Sequence, residues 1–194
     1  MFKKVTEDAI LPTKDNEYSA YVDIYASHDV TIGAGETKLV GLGIAIDLDN
    51  LLENVPTVKD MKRWYKERSK ANIIDVSEED SLFYIKDEFL KSNYIQLMLN
   101  DSLATKGLIL NNGIKIFNLD FTNELKMIIH NPICDFIDNM IENTVGCNSS
   151  YSYKIKKGDK IGQLILLEHK TILFGIESED EYNNRFYTDE FKKE

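Results

Sequence analysis

A few lysines in this sequence could bind an anionic ligand, although the chain as a whole is acidic. Its 194 residues carry 23 Lys and Arg against 33 Asp and Glu, a formal net charge of -10. Binding of duplex DNA or RNA needs a broad basic surface, so this balance argues against such a role. A small anionic ligand needs only a local pocket with backbone N–H groups and one or two cations. Lys106, Lys115 and Lys160 are the candidate cations for such a pocket.

The sequence shows no metal-binding cysteine pattern and no export or membrane segment. Cys134 and Cys147 fit no metal-ligand spacing, and we expect them to be buried free thiols. Residues 1–4 lead into an acidic, proline-containing stretch rather than the apolar core of a signal peptide. No apolar run approaches the ~20 residues that a membrane span needs. We therefore expect a soluble cytoplasmic protein that contacts no membrane.

The elements that must position these side chains are mostly short strands punctuated by glycine, a pattern typical of a sandwich or barrel. Two turn signals, Asn111-Asn112-Gly113 and Lys156-Lys157-Gly158-Asp159, divide the later strands. Strand segments are predicted at residues 21–26, 38–48, 93–99, 108–131 and 151–172.

Three stretches have helical character instead. In the first of them, Thr57 is the candidate N-cap, and Met61, Trp64 and Tyr65 follow at the i, i+3, i+4 spacing of one helix face. An acidic patch at residues 75–80 separates this helix from the next, weaker one. Helices are predicted at residues 57–71, 84–91 and 134–142.

Each face of the first helix can be interpreted in two ways. Lys62, Arg63 and Arg68 are either further anion contacts or a solvated charged face. Trp64 and Tyr65 either pack on the β core or, if exposed, anchor a protein partner.

Four segments, in order, resemble the motifs of the trimeric dUTPases and the related dCTP deaminases. Residues 18–26 are similar to the first motif, A-G-Y-D-L-x-A, with Asp23 at its acidic position. Residues 35–46 look like the pair of strands that follows this motif in the family. The other three matches are residues 100–110 with P-R-S-S/G-L-A-x-K-G, residues 112–125 with N-G-x-G-I-I-D-S-D-Y-R-G-E-I, and residues 158–166 with G-D-R-I-A-Q-L-I.

This resemblance implies a mainly β fold, a dUTPase-like β-barrel or jelly-roll with two helical insertions. It implies one domain at residues 1–176, with insertions at about 51–92 and 132–150, and a homotrimer as the usual assembly. The tail at residues 177–194 is expected to be mobile or to reach onto a neighbouring subunit. An insertion between the third and fourth motifs also occurs in some phage dUTPases, which favours a phage or viral origin.

The resemblance also assigns roles to individual residues. Asp23 matches a metal-related carboxylate, although an aspartate at a strand end that bonds to backbone groups is an equal alternative. Phe121 keeps the aromatic that stacks under the deoxyribose, or else is a core aromatic. The nucleotide-binding residues that it implies are Ser102, Lys106, Lys115, Asn118, Phe121, Lys160 and Gln163.

Several positions depart from the family pattern. The family reaction, attack of water on the α-phosphate of dUTP, needs a carboxylate base, and the matching position here is Asn118. Asn100 and Asp101 replace a phosphate-binding Arg and its neighbour, and Lys115 replaces a glycine of the base pocket. The C-terminal tail contains no glycine after residue 175, whereas the family's closing arm is glycine-rich. No catalytic residue is therefore assigned.

Three hypotheses of function follow. The first is a catalytically inactive nucleotide-binding protein that sequesters or senses a nucleotide, for example a phage product directed against a host defence signal. The second is an active dUTP diphosphatase or related hydrolase of altered specificity, which would use Mg²⁺ and the carboxylates Asp101, Asp120 or Asp23. The third is a regulator that binds a protein partner through the helical insertions.

Overall fold

The computed structural model describes residues 1–69, 78–133 and 151–170. The eleven strands found there pair only in the antiparallel sense. They are β1 (Phe2–Lys4), β2 (Val22–Tyr25), β3 (Val30–Ile32), β4 (Thr37–Gly41), β5 (Ile44–Ile46), β6 (Asn93–Leu99), β7 (Ile109–Leu110), β8 (Lys115–Asn118), β9 (Lys126–His130), β10 (Tyr153–Ile155) and β11 (Lys160–Glu168).

The largest sheet has four strands in the order β2-β11-β6-β8. Its second strand, β11, pairs with β6 along seven residues, from Gly162 opposite Leu99 to Glu168 opposite Asn93. On its other edge β11 pairs with β2, so that Gln163 lies between Asp23 and Met98. The edge strand β8 is hydrogen-bonded to β6 and to no other strand of this sheet.

The other described strands form one three-stranded sheet, β4-β9-β7, and the two-stranded pairs β1-β5 and β10-β3. The mainly β prediction is confirmed. The described strands form four separate hydrogen-bonded sheets that pack around a shared core and do not close into one continuous barrel.

Side chains from all four sheets meet in this core. The fully buried members include Ile24, Ile32, Ile46, Leu97 and Ile129. Gly162 is required at the centre of it, since a Cβ there would lie 2.7 Å from the Met98 carbonyl oxygen and 3.0 Å from Ile24 Cδ1. Even an alanine would therefore push the two central strands apart.

Both predicted turns are present. At Asn111-Asn112-Gly113 the Gly113 N–H donates to the Leu110 carbonyl over 2.8 Å, and Gly113 has a φ of 69°, a conformation that favours glycine. At the second turn the Asp159 N–H donates to the Lys156 carbonyl over 3.0 Å.

Three helices, α1 (Leu48–Asn54), α2 (Pro56–Ser69) and α3 (Glu78–Ser92), lie between β5 and β6. Helix α2 begins at Pro56, so Thr57 lies in its first turn and is not the N-cap as predicted. Proline is favoured at the first helical position because its missing N–H would have no helical partner there. Helix α1 was not predicted, although Asp47 caps it by accepting a hydrogen bond from the Asn50 N–H at 3.2 Å.

Glu53, at the end of α1, joins the three helices through charge. Its carboxylate accepts hydrogen bonds from Lys62 of α2 and from Lys86 of α3, the latter over 2.8 Å. These two partners lower the pKa of Glu53 to about 2, with Lys62 the larger cause. Lys62 is therefore engaged within the insertion, and Arg63 forms an ion pair with Asp60 at 3.5 Å, which favours the solvated-face interpretation of α2.

Several predictions fall outside the described residues. They concern Cys134, Cys147, the helix at residues 134–142 and the tail at residues 177–194. In the part of the chain that the structure describes, no helix is both long and apolar enough to cross a membrane.

The Glu53 ion pairs lead to a prediction about the helical insertion. Replacing Glu53 with Gln is expected to lower the melting temperature at pH 7, because Lys62 and Lys86 lose their shared carboxylate. A lowered folded-state pKa gives stability that is present above the ordinary value of 4.5 and is lost as pH falls toward about 2. The difference between wild type and Glu53→Gln, measured by thermal unfolding, should therefore shrink below pH 4.5.

The matched control is Glu17→Gln, at an exposed glutamate whose side chain forms no ion pair within the described residues. It should leave the melting temperature unchanged across the same pH range. A Glu53→Gln difference that stays constant down to pH 2 would contradict the assigned role of the ion pairs.

Candidate nucleotide-binding pocket

An open cavity of about 430 Å³ lies beside β8 and the loop that follows it. This volume is in the range of sites that hold small organic ligands. All of its lining comes from the segment that resembles the third motif, namely Lys115, Ile116, Phe117, Asn118, Asp120, Phe121, Thr122 and Asn123.

Two aromatic rings form the apolar wall of this pocket. Phe117 is buried in the core, and its ring centroid lies 5.4 Å from that of the half-buried Phe121 at an angle of 44°. Phe121 therefore has a fixed orientation at the pocket wall. It packs against the core and lines the pocket at the same time, so the two interpretations of this residue are compatible.

Lys115 turns back toward the protein. Its Nζ donates a hydrogen bond to the Lys126 carbonyl at 3.0 Å and lies 4.9 Å from the centroid of the Phe117 ring. Partial burial lowers the pKa of Lys115 from its ordinary value. Since a bulky side chain stands where the family has a glycine, the inner part of the pocket differs from the family pattern.

Asn118 and Asp120 bring two polar groups to the same pocket. Both side chains are exposed, and the Asn118 backbone carbonyl accepts a hydrogen bond from the Phe121 N–H at 3.1 Å, which tightens the loop between them. An amide cannot take a proton from water near neutral pH, whereas the Asp120 carboxylate can. Asp120 is therefore the pocket-lining carboxylate that could act as a general base.

Asp23 of β2 and Lys160 of β11 form an ion pair at the opposite edge of the four-stranded sheet from β8. The Asp23 carboxylate is 1% exposed, and its Oδ2 lies 2.7 Å from Lys160 Nζ. At this distance the ammonium and the carboxylate form a close ion pair. It is the main cause that raises the pKa of Lys160, and Asp15 approaches the same ammonium at 3.4 Å.

This pairing bears on both residues. The carboxylate of Asp23 is already neutralised by a cation, and among the described residues no group of three His, Cys, Asp or Glu side chains is arranged to hold a metal ion. The Asp23 backbone pairs with Thr13, with an N–H to carbonyl distance of 2.8 Å, whereas no backbone group in the described residues hydrogen-bonds to its carboxylate. Lys160 in turn is partly occupied by carboxylates, which weakens it as an anion contact.

Ser102 and Lys106 lie around the short helix α4 (Asp101–Ala104), which follows β6. Asn100 caps this helix, because its Oδ1 accepts a hydrogen bond from the Ser102 N–H at 2.9 Å. The side chains of Ser102 and Lys106 are exposed. The Lys106 carbonyl accepts a hydrogen bond from the hydroxyl of Tyr153, a contact between residues 47 positions apart that no local pattern predicts.

The structure divides the seven predicted residues into two groups. Lys115, Asn118 and Phe121 line the pocket, whereas the other four lie around β11 and α4. Gln163 is opposite Met98 and Asn118 is opposite Tyr94, four positions apart on β6. At about 3.3 Å per residue this is roughly 13 Å along the strand, and a whole strand also lies between them. Within one chain, Gln163 of the second group is therefore well separated from Asn118 of the first.

The sequence analysis missed four residues of the pocket wall that the structure adds. Ile116, Phe117, Thr122 and Asn123 line the pocket within the same motif segment. A signal for them was available, because they alternate with or adjoin the predicted residues along one strand and loop. Ile116 and Asn118 are two positions apart on β8 and therefore share a face.

Comparisons with solved structures identify the architecture. A Staphylococcus bacteriophage 80alpha dUTPase variant with dUpNHpp matches with a TM-score of 0.56 and 16% identity, over 92% of this chain and 93% of the other. A dUTPase variant from phage phi11 of S. aureus, described with a structural Mg(II) ion, matches with a TM-score of 0.56 and 13% identity, over 92% and 94%. The Streptococcus mutans dUTPase matches with a TM-score of 0.52 and 13% identity, over 91% and 98%.

At the level of sequence, one curated relative stands out. A deoxyuridine 5'-triphosphate nucleotidohydrolase of Clostridioides difficile is 41% identical over 51 residues, which is 26% of this chain and 36% of that relative. No protein-family model matches the chain. The chain has the dUTPase fold, and its recognition as a divergent dUTPase-like chain is confirmed.

The Asp23–Lys160 contact leads to a second prediction. Replacing Lys160 with Met is expected to destabilise the fold, because the buried Asp23 carboxylate loses its counter-charge. A raised folded-state pKa gives stability that is present below the ordinary lysine value and is lost as pH rises through the folded value. The loss of melting temperature in Lys160→Met should therefore be full at pH 7 and should fade only above about pH 10.4.

Lys157→Met is the control for this prediction, since Lys157 pairs with the exposed Asp8 at 2.7 Å. Exposed pairs contribute little, so this variant should lose much less stability than Lys160→Met. Equal losses in the two variants would show that burial of Asp23 does not determine the effect.

Proposed function

We propose that this chain is a nucleotide-binding protein on a dUTPase scaffold that does not hydrolyse dUTP in the ordinary way. The observation that carries the proposal is Asn118, which lines the pocket at the position where the resemblance places the catalytic carboxylate. An amide there still hydrogen-bonds a sugar hydroxyl but has no basic site for a proton. The pocket thus keeps a group that can bind a nucleoside at this position but lacks the carboxylate of the family reaction there.

The biological role we infer is the sequestering or sensing of a nucleotide in the cytoplasm of a host cell. Several of the structural neighbours are phage proteins, and one set is described as phage dUTPases that control the transfer of virulence genes. A phage product that captures or reads a nucleotide of host metabolism or defence fits this setting.

A homotrimer is part of the proposal because one chain separates the two groups of binding residues. The sheet face that includes Asn118 and Gln163 is also apolar and incompletely covered. Ile116 on this face is 55% exposed, and Ile165 is half-buried. Residues opposite each other in an antiparallel pair project to one face, so Tyr94 and Leu167 belong to this face as well. A neighbouring chain packed there would cover apolar surface and complete the site.

Asp120 supports a second candidate, an active hydrolase of altered specificity. It is a carboxylate in the same pocket, two residues after Asn118. In this mechanism Asp120 would orient and deprotonate water, and a Mg²⁺ ion bound with the nucleotide would neutralise phosphate charge. The described side chains do not themselves assemble a metal site, so most ligands of such an ion would have to come from the nucleotide and water.

Exposed aromatic side chains on the helical insertion support a third candidate, a regulator that binds a protein. Phe83 and Tyr84 of α3 are 72% and 63% exposed, and Trp64 of α2 is 43% exposed. Helix α2 packs against α1 and α3, and Trp64 is exposed in part and covered in part. Large exposed aromatics are frequent at protein interfaces.

Thermal unfolding with a panel of nucleotides tests the proposal. We expect dUTP, dUMP, dCTP, a cyclic dinucleotide or a cyclic ADP-ribose-type molecule to raise the melting temperature, because a ligand of the native state stabilises it by RT ln(1 + [L]/Kd). We also expect no pyrophosphate release from a panel of dNTPs with Mg²⁺. Phe121→Ala should weaken the binding by on the order of tenfold, through loss of a stacking surface.

The control for Phe121→Ala is Phe83→Ala, which removes an exposed phenyl ring far from the pocket lining and should leave the binding unchanged. Pyrophosphate release at the rate of ordinary dUTPases would favour the hydrolase, and loss of that release in Asp120→Asn would identify its base. No thermal shift with any nucleotide would reject nucleotide binding and leave the protein-binding candidate.

A further inference from the structure

Lys115 is a partly buried cation without a carboxylate partner in the described chain. Eight other lysines there, including Lys126, Lys157 and Lys160, form ion pairs with Asp or Glu. Lys115 makes one hydrogen bond within the described residues, to the Lys126 carbonyl at 3.0 Å. An ammonium carries three donors, so two are left for acceptors that the described protein does not supply.

The position of this ammonium is determined by its surroundings. Lys115 lies opposite Leu97 on the edge strand β8, so its stem shares the face that covers the core. Its Nζ lies 4.9 Å from the ring centroid of Phe117, within the range of a cation–π contact. The side chain is therefore held at the pocket wall by a carbonyl on one side and a ring on the other.

Burial of a cation without an anion is costly, and here it lowers the pKa of Lys115. The carboxylate that lines the same pocket, Asp120, is exposed and forms no ion pair with Lys115. A ligand oxygen that accepts from Lys115 would remove part of this cost. An amino group at the same point could not form a hydrogen bond with Lys115, because both groups are donors.

We propose that Lys115 determines the specificity of the pocket by selecting ligands that place an oxygen acceptor against its ammonium. The oxygen is either the keto oxygen of a nucleobase or an oxygen of a phosphate group. This inference rests on the proposed nucleotide binding and adds the chemistry by which the ligand is chosen. Lys115 would thus hydrogen-bond to the ligand at a position where the family pattern has a glycine and no side chain.

Matched nucleoside pairs separate the two sources of the oxygen. Deoxyuridine and deoxycytidine differ by a keto against an amino group, as do deoxyinosine and deoxyadenosine. If the base supplies the oxygen, isothermal titration calorimetry on the full chain should show tighter binding of the keto member of each pair by about tenfold or more. If a phosphate supplies it, the nucleosides should bind equally and inorganic pyrophosphate should bind by itself.

Lys115→Met keeps an unbranched side chain of nearly the same length and removes the ammonium group. It should abolish the keto preference, or the pyrophosphate binding, with a loss of about tenfold or more in affinity for the preferred probe. Lys126→Met is the matched control, since the Lys126 side chain pairs with Glu124 at 3.3 Å while its backbone carbonyl still holds Lys115. This control should bind every probe as the wild type does.

Circular dichroism identifies any variant that fails to fold. If Lys115→Met does not fold, Lys115→Gln is used in its place, because the glutamine amide keeps a donor for the Lys126 carbonyl. Unchanged probe preference in the folded variant would overturn the inference while leaving nucleotide binding intact. An amino preference in the wild type would also overturn it. Wild-type protein that binds neither the probes nor any nucleotide of the thermal panel would overturn the proposed function itself, and the two failures are thereby distinguished.

Discussion

The antiparallel pairing of β11 with β2 on one edge and β6 on the other is the constraint on which the rest of the structure depends. It requires a residue without a side chain at Gly162, where any Cβ would collide with the Met98 carbonyl. The same pairing brings the first and fourth motif segments side by side, and so places Lys160 against the buried Asp23. Residues that the resemblance marks as functional therefore also hold the sheet together.

The pocket is a second consequence of this sheet. Strand β8 pairs with β6 at the edge of the sheet. Its last residue, Asn118, is followed directly by the loop that lines the pocket. Phe117 ties the strand to the core, while Lys115 and Phe121 on either side of it define the inner wall. A substitution at Lys115 or Asn118 leaves the backbone hydrogen bonds that pair β8 with β6 in place. Such an arrangement allows a scaffold to keep its fold while its reaction is lost or replaced.

The division of the predicted site into two groups changes how its parts are understood. Lys160 and Asp23 have a structural partnership in the single chain, and Asn100 is a helix cap rather than a degraded phosphate contact. The remaining exposed groups, Ser102 and Lys106, lie on a different part of the chain from the pocket. In the homotrimer proposed above, these groups would belong to one site, and the half-covered apolar face beside Asn118 would be the contact between chains.

The sequence by itself determined the local features, because each depends on neighbouring residues. The turn at Gly113, the helix after Val55, most of the strand positions and the exchange of a carboxylate for Asn118 were readable from short patterns, whereas β1 and β3 lie outside the predicted strand segments. Helix α1 escaped notice because its seven residues are too few for a clear periodicity. Only the tertiary structure decided which distant residues meet: Asp23 with Lys160, Tyr153 with Lys106, and the Lys115 ammonium with the Lys126 carbonyl. These contacts depend on strand register and side-chain direction, which no short pattern in the sequence specifies.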